Sequence, residues 1–185
     1  MKVNKTDIEG VLVIEPDVFG DSRGYFFESF NERRFNALTG LEVDFVQDNE
    51  SYSRYGVLRG LHFQNPPYSQ SKLVRCVRGK VFDVAVDLRK GSPTFGKYVS
   101  CILSEENHLQ FFIPKGFAHG FAVLSNEAVF QYKCDEFYNK ASEGALMWND
   151  PDIAIEWPVP ASDVVLSEKD LHHPYLKDFE TPFSL

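Results

Sequence analysis

The sequence predicts an all-β protein, a sandwich or barrel with few short helices. Three features point there: many short apolar runs, alternation of side chains within the clearest of them, and turn-forming residues between them. KVFDVAVDLR (80–89) sets Phe82, Val84, Val86 and Leu88 on one face and Asp83 and Asp87 on the other. FQYKCDEFY (130–138) opposes Phe130, Tyr132 and Cys134 to Gln131, Lys133 and Asp135.

Taken from the N-terminus, VLVIE (11–15) and YFFESF (25–30) read as strands separated by the turn FGDSRG. NERRFNALTG (31–40) is the best helix, with Asn31 as N-cap and Gly40 just past its end. VDFVQDN (43–49) and GVLRGLHFQ (56–64) follow as strands, then KLVRCV (72–77), KYVSCIL (97–103) and LQFFI (109–113). NPPYS, RGK, KGSPTFG, SEEN and SNE supply the turns. A short helical turn is expected from Ser167 in SEKD, and the Pro-rich stretch from about Trp157 is expected to wrap the surface. With no repeat, linker or low-complexity segment, residues 1–185 read as a single domain, long enough to bury a good core.

Composition narrows the function. A quarter of the residues are charged, with 17 Phe and 8 Tyr, which fits a folded soluble chain. The net charge of −8 argues against nucleic acids or anionic membranes as partners, since both select a basic surface. It leaves room for a small phosphorylated ligand gripped by a few arginines. No stretch is apolar enough to span a bilayer, and MKVNKTDIEG lacks the apolar core of a signal peptide. The expectation is a cytoplasmic protein in which Cys76, Cys101 and Cys134, widely spread and without metal spacing, are buried free thiols.

GVLRGLHFQ places an arginine and a histidine in an apolar strand. Strict alternation gives Leu58, Gly60, His62 and Gln64 one face and Arg59 the other. For Arg59 and His62 to serve one site, the strand must change phase between them, and Gly60 is the position that accommodates a bulge. PKGFAHGF (114–121) adds a tight turn that delivers His119 to a following strand. Its form, P-x-G-x-x-H, resembles the second half of the cupin signature, whose histidine often binds metal. The first half calls for two histidines and an acid, and LRGLHFQ holds one histidine. A catalytic metal takes three or more protein ligands, so the reading is a metal-free barrel. His172 and His173, in the tail, are expected to be solvated.

The inward set then offers a base, an acid and a cation: His62, which titrates near neutrality, Tyr132, a phenol of pKa about 10, and Lys72. Asp170 can orient an imidazole, and Arg23, Arg59 and His119 can hold anionic groups. Proton abstraction beside a carbonyl requires that combination.

In order along the chain, VFGDSRGYFFESF (18–30), VQDNESYSRYGVLRGLHFQ (46–64), IPKGFAHGF (113–121), YKCDEFY (132–138), WNDP (148–151) and LSEKD (166–170) resemble the dTDP-4-dehydrorhamnose 3,5-epimerase family. The resemblance implies a cupin jelly roll, usually homodimeric, that needs no metal or organic cofactor. It implies a dTDP-linked 4-keto-6-deoxyglucose as substrate, in the synthesis of L-rhamnose for lipopolysaccharide or cell-wall polysaccharide. By resemblance His62 is the base, Asp170 its partner, Tyr132 the acid on the opposite side of the sugar, and Lys72 the enolate stabiliser. Arg23, Glu28, Gln47, Asn49, Arg59, His119 and Tyr138 fall where the family binds nucleotide, diphosphate or sugar. One departure is Glu50, in QDNES where relatives commonly carry histidine.

The chemistry is self-consistent, because C3 and C5 both flank the C4 ketone and share one enolate. No redox change occurs, and no glycine-rich dinucleotide fingerprint is present. Three other readings stay open from the sequence: inversion of C3 or C5 alone, a metal-dependent cupin enzyme, and a non-catalytic sugar-nucleotide binding module.

Overall fold

The computed structural model describes residues 1–185. The strands are β1 (Lys2–Lys5), β2 (Leu12–Glu15), β3 (Val18–Asp21), β4 (Gly24–Phe27), β5 (Gln47–Arg54), β6 (Leu58–Gln64) and β7 (Lys72–Arg78), followed by β8 (Lys80–Asp87), β9 (Tyr98–Ser104), β10 (Gln110–Ile113), β11 (Phe117–Val123), β12 (Glu127–Cys134) and β13 (Glu143–Ala145). One α-helix, α1 (Glu32–Thr39), lies between β4 and β5.

Eleven of the strands form two antiparallel sheets, in the orders β1-β2-β10-β7-β12-β5 and β13-β6-β11-β8-β9. Their inner faces pack on each other: Val74, Phe111 and Phe130 from the first meet Val81, Ala85, Phe117 and Phe121 from the second. This is the jelly-roll arrangement of a cupin. β3 and β4 pair only with each other, as a hairpin outside both sheets.

Helix α1 ends as its sequence predicts. The Asn31 side chain accepts from the Arg34 amide at 3.0 Å, and Gly40 closes the helix with φ +72°. Its one buried residue, Phe35, joins Leu12, Ile14, Leu73 and Phe112 on the outer face of the six-stranded sheet.

The predicted strand VDFVQDN is only partly one. Val43 and Phe45 pack around α1, and the Val43 amide bonds to Asn36 Oδ1 at 3.2 Å, so the ladder begins at Gln47 opposite Cys134. YFFESF likewise stops pairing at Phe27, and FQYKCDEFY at Cys134. Strands β1 and β13 had no clear signal in the sequence, and β3 occupies Phe19–Asp21 of the predicted FGDSRG turn, which narrows to the tip of the β3–β4 hairpin.

The alternation in β8 has an unexpected consequence. Its apolar face, with Val84, Val86 and Leu88, points out of the sandwich and is covered by Leu146, Ile153 and Phe183 from the C-terminal part of the chain. Asp83 and Asp87 therefore point inward, and both are completely buried. Asp87 is satisfied by Arg89 and by Ser92 and Thr94 of the KGSPTFG turn, whose hydrogen bonds outweigh the effect of burial and hold its carboxyl at about 2.

Of the thiols, Cys76 and Cys134 are buried as expected, while Cys101 is half-buried. Burial raises them to about 12, 11 and 12 for Cys76, Cys134 and Cys101, so all three are inert at neutral pH. No helix is long and apolar enough to cross a membrane.

Candidate active site

The open end of the sandwich holds a cavity of about 450 Å³. The six-stranded sheet gives it Gln47, Asn49 and Ser51 from β5, Lys72 from β7 and Tyr132 from β12. From the five-stranded sheet come Arg59 and His62 of β6 and His119 of β11. His62 and Tyr132 thus project from opposing walls.

Arg59 and His62 reach one cavity because β6 changes phase. Phe121 pairs with Arg59 and His119 with His62, so β11 spends two steps where β6 spends three. The extra residue falls at Gly60–Leu61, which sends Leu61 outward into the second core cluster and leaves its neighbours Arg59 and His62 facing in. Gly60 has φ +140°, and a Cβ there would lie 2.6 Å from the Gly120 Cα. Only glycine fits so close a strand contact.

His62 Nε2 meets Asp170 Oδ1 at 2.5 Å. Asp170 comes from the short 3₁₀ turn Glu168–Leu171, where Ser167 Oγ donates to its other oxygen at 2.7 Å. The tail was expected to solvate His172 and His173. His172 is exposed, but His173 is folded back, its side chain 18% exposed and its Nε2 3.3 Å from Asp170 Oδ1. Burial alone would raise the Asp170 carboxyl, yet the hydrogen bonds from His62, Ser167 and His173 outweigh it and hold the group at about 2. A fixed anion at Nε2 selects the tautomer with a proton there and leaves the Nδ1 lone pair free. Burial lowers the imidazole pKa, opposed by Asp170, so His62 is a neutral base at pH 7.

Tyr132 is complementary. Burial raises its phenol, Arg59 opposing, so it keeps its proton and can donate it. Lys72 Nζ lies 6.0 Å from the centre of the Tyr132 ring, and burial lowers its pKa. His119 Nε2 sits 3.0 Å from both oxygens of Asp83. Arg59 is braced by Ser53 Oγ at 3.1 Å. Gln47 holds Asn49 at 3.0 Å and, through its other side-chain atom, the Tyr138 amide at 3.0 Å, which keeps Tyr138 at the cavity rim.

Two sequence-derived binding residues are elsewhere. Arg23 sits on the β3–β4 hairpin, 88% exposed and paired with Asp21 at 2.6 Å, and Glu28 accepts from Asn31 at 3.2 Å. Neither lines the cavity. Glu50 points to the other face of β5, where it accepts from Gln131 at 2.7 Å. Six polar lining residues escaped the sequence reading: Ser51, Gln64, Gln70, Glu143, Ser167 and Lys169. Ser51 shares the inward phase of Gln47 and Asn49, a legible signal, and its hydroxyl is buried without a partner. Glu143 carried no signal, and Lys169 merely adjoins Asp170.

Comparison with known proteins points to one family. The family model described as dTDP-4-dehydrorhamnose 3,5-epimerase matches residues 5–178. An enzyme of that name from Shigella flexneri is 59% identical over 172 residues, 93% of this chain and 94% of its own. The crystal structure of a dTDP-4-dehydrorhamnose 3,5-epimerase from Elizabethkingia anophelis superposes with a TM-score of 0.93 at 58% identity, covering 96% of this chain and 97% of that one. A dTDP-6-deoxy-D-glucose-3,5-epimerase from Legionella pneumophila, solved with dTDP-4-keto-L-rhamnose, gives a TM-score of 0.95 at 49% identity over 100% of this chain and 98% of its own. With near-complete coverage in sequence and in fold, the chain belongs to the dTDP-4-dehydrorhamnose 3,5-epimerase family.

Proposed function

We propose that the protein inverts C3 and C5 of dTDP-4-dehydro-6-deoxy-D-glucose, giving dTDP-4-dehydro-L-rhamnose for L-rhamnose synthesis. The observation that carries this is the projection of a neutral base, His62, and a protonated phenol, Tyr132, from opposite sheets into one cavity. His62 Nδ1 takes the proton from a carbon beside the ketone, and the C–H electrons move to the C4 oxygen. The Lys72 ammonium stabilises that enolate. Tyr132 then protonates the carbon from the other side, and the centre is inverted. His62 loses its proton to solvent, Tyr132 regains one, and the second carbon follows by the same route. Arg59 and His119 hold the anionic groups, and the Legionella relative's complex with dTDP-4-keto-L-rhamnose supports the sugar nucleotide as ligand.

The exposed aromatics Phe19, Tyr25 and Phe26 on the β3–β4 hairpin support a homodimer. In that assembly the hairpin carries Arg23 and Glu28 to the cavity of the other subunit, which reconciles their family role with their distance from their own cavity.

Proton NMR of the product formed in deuterated water tests the proposal. Inverted sugar with deuterium at both C3 and C5 is expected. Label and inversion at a single carbon would assign a mono-epimerase instead.

A further inference from the structure

We propose that His62, Asp170 and His173 form a binding site for a divalent transition metal, best suited to Zn²⁺, through which the ion inhibits the enzyme. The ligand atoms of the three side chains lie within 4.8 Å of one another. Two imidazoles and a carboxylate are the borderline donor set that Zn²⁺ prefers. Around a tetrahedral ion with bonds of about 2.0–2.1 Å, ligand atoms sit roughly 3.3 Å apart. The His173–Asp170 separation of 3.3 Å already has that spacing, and the 2.5 Å His62–Asp170 contact needs to open by less than about 1 Å. The two rings stand at 85° with centroids 6.2 Å apart, so neither is stacked over the other's ligand nitrogen.

The site is also reachable. Both histidines line a second cavity, about 500 Å³, whose wall does not include Arg59, Lys72 or Tyr132, so an ion can approach from a side away from those residues. The ammonium of Lys169 lines that cavity too and opposes a cation, but Glu143 pairs with it at 3.3 Å. This balance suits reversible capture rather than a resident ion.

The inhibitory part rests on the reading of His62 as the base. In the free enzyme Nε2 carries the ring proton and Nδ1 the lone pair. An ion bonded to Nε2 takes the place of the proton there: the Nε2 proton leaves to water and Nδ1 takes one up, with no net change on the imidazole. The nitrogen facing the sugar is then an N–H and cannot abstract a proton.

Calorimetry with ZnCl₂ and the visible absorption of added Co²⁺ test binding on the purified protein, independently of turnover. One ion per chain, removed by chelator, is expected. His173→Gln, which keeps a hydrogen-bond donor beside Asp170, and His173→Ala should each weaken binding by at least about tenfold. His172→Ala, altering a neighbour that is 75% exposed, should leave it unchanged. Inhibition by Zn²⁺, measured against each protein's own metal-free rate, should weaken by the same factor. Uptake that is absent, or equal in wild type and both His173 variants, overturns the site. Uptake that depends on His173 but leaves turnover intact overturns the inhibition and strikes at His62 as base, leaving the ion site itself standing.

Discussion

His62 and His119 are cross-strand partners in the five-stranded sheet, and each is held by a carboxylate of opposite character. Asp170 accepts from His62, Ser167 and His173 and stays ionised down to about 2. Asp83 meets His119 alone, and its complete burial pushes its carboxyl up. In the proposed mechanism the firm anion thus stands behind the histidine that accepts a proton, and the weaker one behind the histidine that would grip substrate.

Replacing His62 with Ala removes the base. The turnover number should fall by roughly two to four orders of magnitude, the usual span for a general base. The dissociation constant for dTDP should hardly change. Near-normal turnover would remove His62 from the role.

Asp170→Asn tests the anion through pH dependence. The acid limb of kcat/KM reports protonation of His62 and should lie below the ordinary histidine value of about 6.5, because burial lowers that group. Losing the carboxylate removes the contribution that favours the protonated ring, so the limb should move to still lower pH while the maximal rate drops. Asp83→Asn should instead act mainly on KM. A limb that stays in place in the Asp170 variant would mean that the carboxylate does not tune the base.

Tyr132→Phe separates the two sides of the reaction. In deuterated water the variant should still form the enolate, and His62 should return deuterium to the side it came from. Recovered substrate would then be labelled with unchanged configuration, while product falls steeply. Inverted product at the normal rate would rule the phenol out as acid.

Arg59→Ala should chiefly raise KM for the sugar nucleotide. Charge-assisted hydrogen bonds to phosphate contribute about 1.5–3 kcal/mol each, which corresponds to roughly tenfold to a hundredfold. An unaltered KM would mean that Arg59 only braces Ser53.

Gly60→Ala should damage stability before chemistry. The new Cβ would meet Gly120 at 2.6 Å in a backbone region that side chains disfavour. A loss of about 2–4 kcal/mol is expected from strain and overpacking together, read as a lower denaturant midpoint. A midpoint within error of wild type would show that β6 and β11 have room to separate.

Much of this was legible in the sequence, where local patterns decide the outcome. The caps of α1, the inward phase of Phe130 and Tyr132, and the phase change at Gly60 all follow from short-range rules. What failed did so through long-range packing. Asp83 and Asp87 read as the polar side of β8, yet they face inward because distant residues such as Phe183 cover the other side. Val43 and Phe45 look like strand residues but are claimed by the cluster around Phe35. His173 reads as a solvated tail residue because nothing local announces that the tail doubles back to Asp170. Arg23 and Glu28 belong to a motif whose place, an exposed hairpin, no intrachain pattern reveals.

Asp170 lies 108 residues beyond His62, on a segment that follows the last strand of either sheet. During synthesis both sheets leave the ribosome before the base's partner does. A growing chain can therefore pair the strands of both sheets while still lacking part of its cavity wall and the anion that, in the proposed mechanism, readies His62. The onset of activity on a translating ribosome thus reports a later event than barrel formation: the docking of the final stretch. A time course that followed both signals would measure the delay between having the fold and having the enzyme.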